Sequence, residues 1–121
     1  MNHHIEFLVR PGEGEDFVYS PVEVNATLYC AVNDTYLVWE VDRLNFDTAF
    51  KRDTLHSRGI FQNGLTTLTN SVTASYVIVF GNVQMNNNSR ICCQSLSLVR
   101  QELRESCTTL IIYGMMHCYL L

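Results

Sequence analysis

Five cysteines, at positions 30, 92, 93, 107 and 118, are the side chains of this chain with the widest choice of chemistry. Cysteine thiolates bind metals or act as nucleophiles, and in secreted proteins they join as disulfides. The sequence has no Cys-x-x-Cys pair, and neighbouring strand residues such as Cys92 and Cys93 point to opposite faces. We therefore expect no zinc site and no cofactor. The odd count leaves at least one thiol over.

Nucleophilic catalysis would need a cysteine beside a histidine, with a third group to orient that base. The candidates are Cys107 or Cys118 with His56 or His117. Neighbours in sequence are not thereby neighbours in a fold, and no segment is typical of an oxyanion loop or a glycine-rich phosphate loop. We therefore expect no catalytic residue and a non-enzymatic function.

Three segments satisfy the acceptor rule for N-glycosylation, and their asparagines are Asn25, Asn33 and Asn87. Together with the cysteines, they favour an extracellular or cell-surface location. The start of the chain has no basic leader with a long apolar stretch. We interpret the chain as a fragment of a larger secreted or membrane-anchored protein, with an apolar tail over 115–121.

The composition indicates one folded domain. The chain has 121 residues, of which 47% are hydrophobic and 17% charged, and its formal net charge is −4. This is enough apolar surface for a core, and an acidic balance argues against a nucleic-acid partner. No apolar run reaches the roughly 18 residues that a membrane helix needs.

The elements that would carry these side chains are nearly all strands. Residues 24–32 alternate between apolar and polar side chains, and residues 36–41 and 75–80 are rich in β-branched and aromatic residues. Residues 90–98 and 108–113 are also predicted to be strands. Asn63-Gly64 predicts a hairpin turn. Short strands at this spacing favour a sandwich or barrel.

At this point the chain resembles the immunoglobulin-like superfamily over residues 20–114, and within it the extracellular domains of invertebrate surface or secreted proteins. The resemblance rests on Cys30, Trp39 and Cys93, which form the family's Cys…Trp…Cys order. It implies an all-β fold, a Greek-key sandwich of two antiparallel sheets with about seven to nine strands. Residues 1–19 form an N-terminal segment with a candidate first strand. The 63-residue interval between the cysteines leaves room for extra edge strands within 46–60.

The resemblance also implies a disulfide between the sheets, with Trp39 packed beside it. Cys92 and Cys93 are both candidate partners of Cys30. We choose Cys93, because Ile91 shares its face and an apolar residue should point to the core. The family's tyrosine two residues before the second cysteine is replaced here by Ile91, so its hydrogen bond is absent. Cys92 would then face outward with Cys107, and we hypothesise a second disulfide between them. Two free or differently paired thiols are the alternative.

Immunoglobulin-like domains often bind partners through their end loops or through the outer face of strands G, F and C, which here correspond to residues 108–113, 90–98 and 36–41. Here that face would carry Val38, Glu40, Gln94 and Ile111, with Arg100, Glu102 and Arg104 at the hairpin tip. We expect a recognition or adhesion module that binds another protein. The alternative is a structural spacer in a tandem array. An exposed apolar patch on this face would favour recognition, and a charged or glycan-covered face would favour the spacer.

Overall fold

A computed structural model describes residues 3–9, 16–32, 36–69, 72–97 and 101–114. The apolar tail at 115–121, with Cys118, and the acceptor Asn33 lie outside these ranges. No helix within them is long and apolar enough to cross a membrane. In chain order the elements are β1 His3–Val9, β2 Asp16–Pro21, β3 Val24–Val32, β4 Tyr36–Val41, β5 Leu44–Asn45, α1 Ala49–Ser57, β6 Ile60–Thr69, β7 Val72–Val79, β8 Ser89–Ser97 and β9 Glu102–Tyr113.

The strands form two sheets. One has the order β1-β3-β7-β6 and the other the order β2-β9-β8-β4-β5. The fold is therefore mostly β and built from two layers, as the sequence predicts. The expectation that both sheets are antiparallel is wrong, because β1 pairs with β3 in parallel and β2 pairs with β9 in parallel. Both N-terminal strands lie within residues 1–21, so this segment contributes an edge strand to each sheet.

Alternation of side chains explains how the two sheets bury one common core. From Ala26 in β3 and from Leu37 in β4, every second residue is apolar and buried. The outward-facing residues Thr27 and Cys92 are buried as well. The core cluster also receives one helix residue. Its members are Ala26, Leu28, Cys30, Val32, Leu37, Trp39, Val41, Phe46, Leu55, Ile60, Val77, Val79, Ile91, Cys93, Leu110 and Ile112.

A helix occupies much of the segment where the sequence predicted extra edge strands. The helix α1 begins after Thr48, whose side-chain oxygen accepts a hydrogen bond from the backbone N–H of Lys51 at 3.2 Å. Threonine is a preferred cap at this position. Leu55 is fully buried and anchors the helix to the core. The sequence does contain a signal for the start of a helix, because the capping residue Thr48 directly precedes helix formers such as Ala49 and Lys51.

Asn63-Gly64 does not form the predicted hairpin turn. Both residues lie within β6, beside a register shift between Asn63 and Thr66 that marks a bulge. The tight turn instead joins β4 to β5 through Asp42 and Arg43, with φ values of 49° and 68°. Two successive positive φ values are typical of the type I′ turn, which matches the twist of the strands that it joins.

Gly81 lies where two backbone segments approach each other closely, next to the turn after β7. A Cβ atom built on Gly81 would lie 2.1 Å from the carbonyl oxygen of Val24. The carbonyl oxygen of Gly81 accepts a hydrogen bond from Glu23 N–H at 3.2 Å. Val24 pairs with His3 in β1, and the backbone of Gly81 is hydrogen-bonded to Glu23. Neither backbone segment can therefore move away without losing these hydrogen bonds.

We expect the substitution Gly81→Ala to lower the free energy of unfolding by at least about 2 kcal/mol, since the added methyl group overlaps a fixed carbonyl oxygen. Urea unfolding followed by Trp39 fluorescence measures the change. Asn82→Ala is the matched control, because Asn82 is exposed in the same turn, and it should change stability by less than about 0.5 kcal/mol. Equal stability of Gly81→Ala and Asn82→Ala would contradict the close approach.

Candidate functional site

A disulfide between Cys30 and Cys93 joins the two sheets at the centre of the core. Cys30 lies in β3 and Cys93 in β8, with their Cα atoms 6.5 Å apart. Trp39 in β4 is the direct cross-strand neighbour of Cys93 and is fully buried. The large ring therefore fills the space beside the bridge. The sequence brings these three residues together only through a resemblance. In the structure, all three belong to the same core cluster.

A second disulfide joins Cys92 to Cys107 across the neighbouring strands β8 and β9. The two residues are directly opposite in register, and their Cα atoms are 4.0 Å apart. They lie on the outer face of the sheet, yet their side chains are only 2% and 3% exposed. A carboxylate oxygen of Glu105 lies within 4.8 Å of both sulfurs. Disulfide sulfurs carry no thiolate charge, so this group does not form a metal site in the oxidised protein.

The two glycosylation acceptors within the described ranges use their side-chain oxygens in hydrogen bonds to the backbone. Asn87 Oδ1 accepts from Ile112 N–H at 2.8 Å, and Asn25 Oδ1 accepts from Gly81 N–H at 3.4 Å. Both residues are half-buried. The hydroxyl-bearing residues of their motifs, Thr27 and Ser89, are almost completely buried. The folded domain therefore offers the asparagines, but not the whole acceptor motif, to solvent.

Arg58 holds together the corner where the two sheets meet, and sequence reasoning missed it. One guanidinium nitrogen, Nη2, donates to Asp42 Oδ2 at 3.0 Å, to Ser89 Oγ at 2.9 Å and to the Met85 carbonyl at 3.3 Å. The side chain of Arg58 is only 13% exposed. Asp42 completes the link, because its other oxygen accepts from Arg90 N–H at 2.9 Å.

Asn86 extends the same corner inward. It is fully buried, and its amide nitrogen donates to the carbonyl oxygens of Arg58 at 2.8 Å and Phe80 at 3.1 Å. Its sequence context, three asparagines and a serine, predicts only a polar corner. No local pattern identifies which asparagine is buried, because its partners are separated from it by up to 28 residues.

The outer face of the five-stranded sheet exposes a row of apolar side chains near one end of its strands. Tyr36 in β4 is opposite Leu96 in β8, which in turn is opposite Leu103 in β9. Their exposed fractions are 50%, 38% and 65%. Because Leu37 and Ser95 point to the core, the neighbouring residues Tyr36 and Leu96 must point outward. We call these three residues the apolar row.

A second exposed apolar group lies on the β2–β9 edge of the same face. Phe17 and Tyr19 in β2 pair with Thr109 and Ile111 in β9, and Tyr113 follows two residues later. Phe17, Tyr19 and Tyr113 are each more than half exposed. We call these three residues the edge aromatics.

Charged and polar side chains separate the two apolar groups. Gln94 Nε2 donates to Glu105 Oε2 at 2.5 Å, and Arg90 lies 3.9 Å from the other oxygen of Glu105. At the hairpin end, Arg104 and Glu102 form an ion pair at 3.6 Å. The remaining residues expected on this face, Val38, Glu40 and Ile111, are half-buried, and Arg100 lies outside the described ranges.

No protein-family model and no curated protein matches this chain.

We expect the two disulfides to contribute unequally to stability. In the chain-entropy model the bridge that spans 63 residues contributes about 4 kcal/mol and the bridge that spans 15 residues about 3 kcal/mol. The double variant Cys30→Ala/Cys93→Ala also loses core packing, so its loss should exceed that of Cys92→Ala/Cys107→Ala. Urea unfolding of both variants measures the difference.

Peptide mapping without reduction supplies the check on connectivity. We expect one peptide pair that contains Cys30 and Cys93 and another that contains Cys92 and Cys107. A larger stability loss from removing Cys92 and Cys107, or a linked peptide that joins Cys30 to Cys92, would contradict this assignment.

Proposed function

We propose that this chain is an immunoglobulin-like domain that acts as an extracellular recognition module for another protein. The strand order supports the fold assignment. With β1 as strand A, β3 as B, β7 as E and β6 as D, the first sheet has the A-B-E-D order, and β9, β8, β4 and β5 follow the order G-F-C-C′. Besides the order of the two sheets, the disulfide from strand B to strand F and the tryptophan on strand C also agree with the immunoglobulin fold.

Two disulfides in a domain of this size support an extracellular location, because reducing compartments keep such thiols reduced. The acceptor motifs at Asn25 and Asn87 are consistent with the same location. Since Thr27 and Ser89 are buried in the folded domain, a glycan would have to be attached before the strands pair. Cys118 is the cysteine left over from these two pairs, and it would be a free thiol or would form a disulfide with another chain.

A non-enzymatic role is supported by the state of the cysteines. Cys107, one of the two candidate nucleophiles, is held in a disulfide and has no thiol to activate. The ring of His56 stacks on Phe61, with their centroids 4.8 Å apart, and lies in a different part of the fold.

Recognition, as opposed to a spacer role, is supported by one observation above all. The apolar row and the edge aromatics together place six large, exposed apolar side chains on one sheet face. Groups of large exposed apolar side chains rimmed by polar residues often mark protein–protein interaction sites. Tyrosine and phenylalanine are also residues that protein interfaces favour.

The polar middle of the face gives the proposed interface its selectivity. Arg90, Gln94 and Glu105 are half-exposed between the two apolar groups. A partner must match both charges, since an unmatched charge at an interface costs free energy. A spacer would have no need for this pattern of apolar ends and a charged centre.

The recognition proposal predicts that Leu103→Glu abolishes partner binding while the domain stays folded. Leu103 is 65% exposed, so its replacement removes apolar contact area and places a charge at the interface without disturbing the core. The assay is binding of the tetramerised domain to a panel of displayed ectodomains, including this domain itself. We expect at least a tenfold loss of affinity for each binding partner found, about 1.4 kcal/mol.

Phe50→Glu is the matched control, because Phe50 is 78% exposed on the helix and lies off the sheet face. It should bind as the unchanged domain does. Equal loss in both variants would locate binding elsewhere. Binding to no ectodomain in the panel would favour the spacer role.

Expression through a secretory pathway tests the proposed location. We expect a folded product that carries a glycan on at least one of Asn25 and Asn87 and has no free thiol at residues 30, 92, 93 and 107. Mass spectrometry with and without glycan removal measures occupancy. An equally stable domain that folds with all of these thiols reduced in the cytosol would contradict the extracellular assignment.

A further inference from the structure

A cavity of about 490 Å³ opens on the side of the sandwich where α1 packs against β5 and β6. It lies between the start of β4, the segment after β5, one face of the helix and the middle of β6. Its volume is in the range of small-molecule sites, which are about 300–1,000 Å³. The cavity is separate from the charged centre of the sheet face and from both disulfides.

Four apolar or aromatic residues contribute to the lining of the cavity, and they are Tyr36, Leu37, Val38 and Phe46. Tyr36 is 50% exposed and Val38 is half-buried, whereas Leu37 and Phe46 are almost completely buried. This part of the lining favours an apolar or aromatic body over a fully hydrated ion.

Two nitrogen-bearing side chains of the helix line the cavity from another side. Arg52 and His56 are four residues apart in α1, so they lie on the same face of the helix. Among the described residues, Arg52 makes one side-chain hydrogen bond, from Nη2 to the Phe46 carbonyl at 3.4 Å. A guanidinium has five N–H donors, so most of its capacity remains for a ligand.

The imidazole of His56 is held in place by aromatic neighbours. Its ring stacks on Phe61 with a centroid distance of 4.8 Å, and the Phe46 ring lies 6.5 Å away on the cavity side of the helix. No hydrogen bond within the described ranges uses its ring nitrogens. A fixed ring with an unused donor is a preorganised binding group, because little side-chain entropy is lost when a ligand binds.

We propose that this cavity binds a small organic anion, a monocarboxylate with an aromatic or branched apolar body. The carboxylate accepts hydrogen bonds from Arg52 and His56, and the body packs on the apolar part of the lining. An exposed acid, Asp47, is also in the lining. Its charge opposes a second negative group on the ligand, so we expect monoanions to bind better than dianions.

The test uses 2-naphthoate as the probe and the uncharged 2-naphthalenemethanol as its partner, titrated into the disulfide-bonded domain and followed by isothermal titration calorimetry. We expect 2-naphthoate to bind with 1:1 stoichiometry and the alcohol at least tenfold more weakly. Arg52→Gln should weaken naphthoate binding about tenfold, because one charge-assisted hydrogen bond is lost. His56→Gln should weaken it by a smaller factor.

Arg43→Gln is the matched control, since it removes the same charge from an exposed turn outside the cavity. It should leave naphthoate affinity unchanged. The proposal is overturned if naphthoate does not bind at millimolar concentration, if both arginine variants bind equally, or if the alcohol binds as tightly as the acid. Tyr36 belongs both to the apolar row and to the cavity lining. The two proposals are still tested separately, because Leu103 does not line the cavity and Arg52 does not lie on the sheet face.

Discussion

The disulfide between Cys30 and Cys93 is the constraint on which the rest of this domain depends. Each sheet has an apolar face that must be covered, and the two faces can cover only each other. The bridge fixes how far apart the sheets lie at one point, and Trp39 fills the space that this distance leaves. From that point outward, alternation along each strand decides which side chains enter the core and which form the outer faces. The proposed interface is therefore formed by the side chains that this alternation directs away from the core.

Side-chain alternation also explains how much of the fold could be predicted from the sequence. Strands β3 and β4 have the predicted bounds, since apolar and polar side chains alternate along most of their length, although Thr27 is buried as well. The parallel edge strands could not be predicted, because a strand pattern does not say in which direction its neighbour runs. The helix was missed because its buried face contributes only Leu55, so the sequence shows no apolar helical period beside the capping Thr48.

The functional features divide in the same way. The outward parity of the sheet face follows from local spacing, whereas the pairing of Cys30 with Cys93 was implied by the resemblance; the structure contains this pair. Arg58 and Asn86 could not be found locally, because they act through partners that lie far away in sequence. The cavity beside Arg52 and His56 depends on the unpredicted helix. Local patterns therefore describe single strands well, and they fail where three segments meet.

The pairing of β2 with β9 has a consequence for how the domain is made. Asp16 pairs with Thr108, so two segments from opposite ends of the domain meet at one edge of the five-stranded sheet. This edge cannot close until β9 is in place, because a pairing between segments so far apart in sequence must first overcome the entropy of loop closure. Before β9 is in place, the apolar side chains of β2 and the open side of β8 are available to chaperones or to neighbouring chains. Closure of this sheet edge is therefore a late step in the folding of the domain.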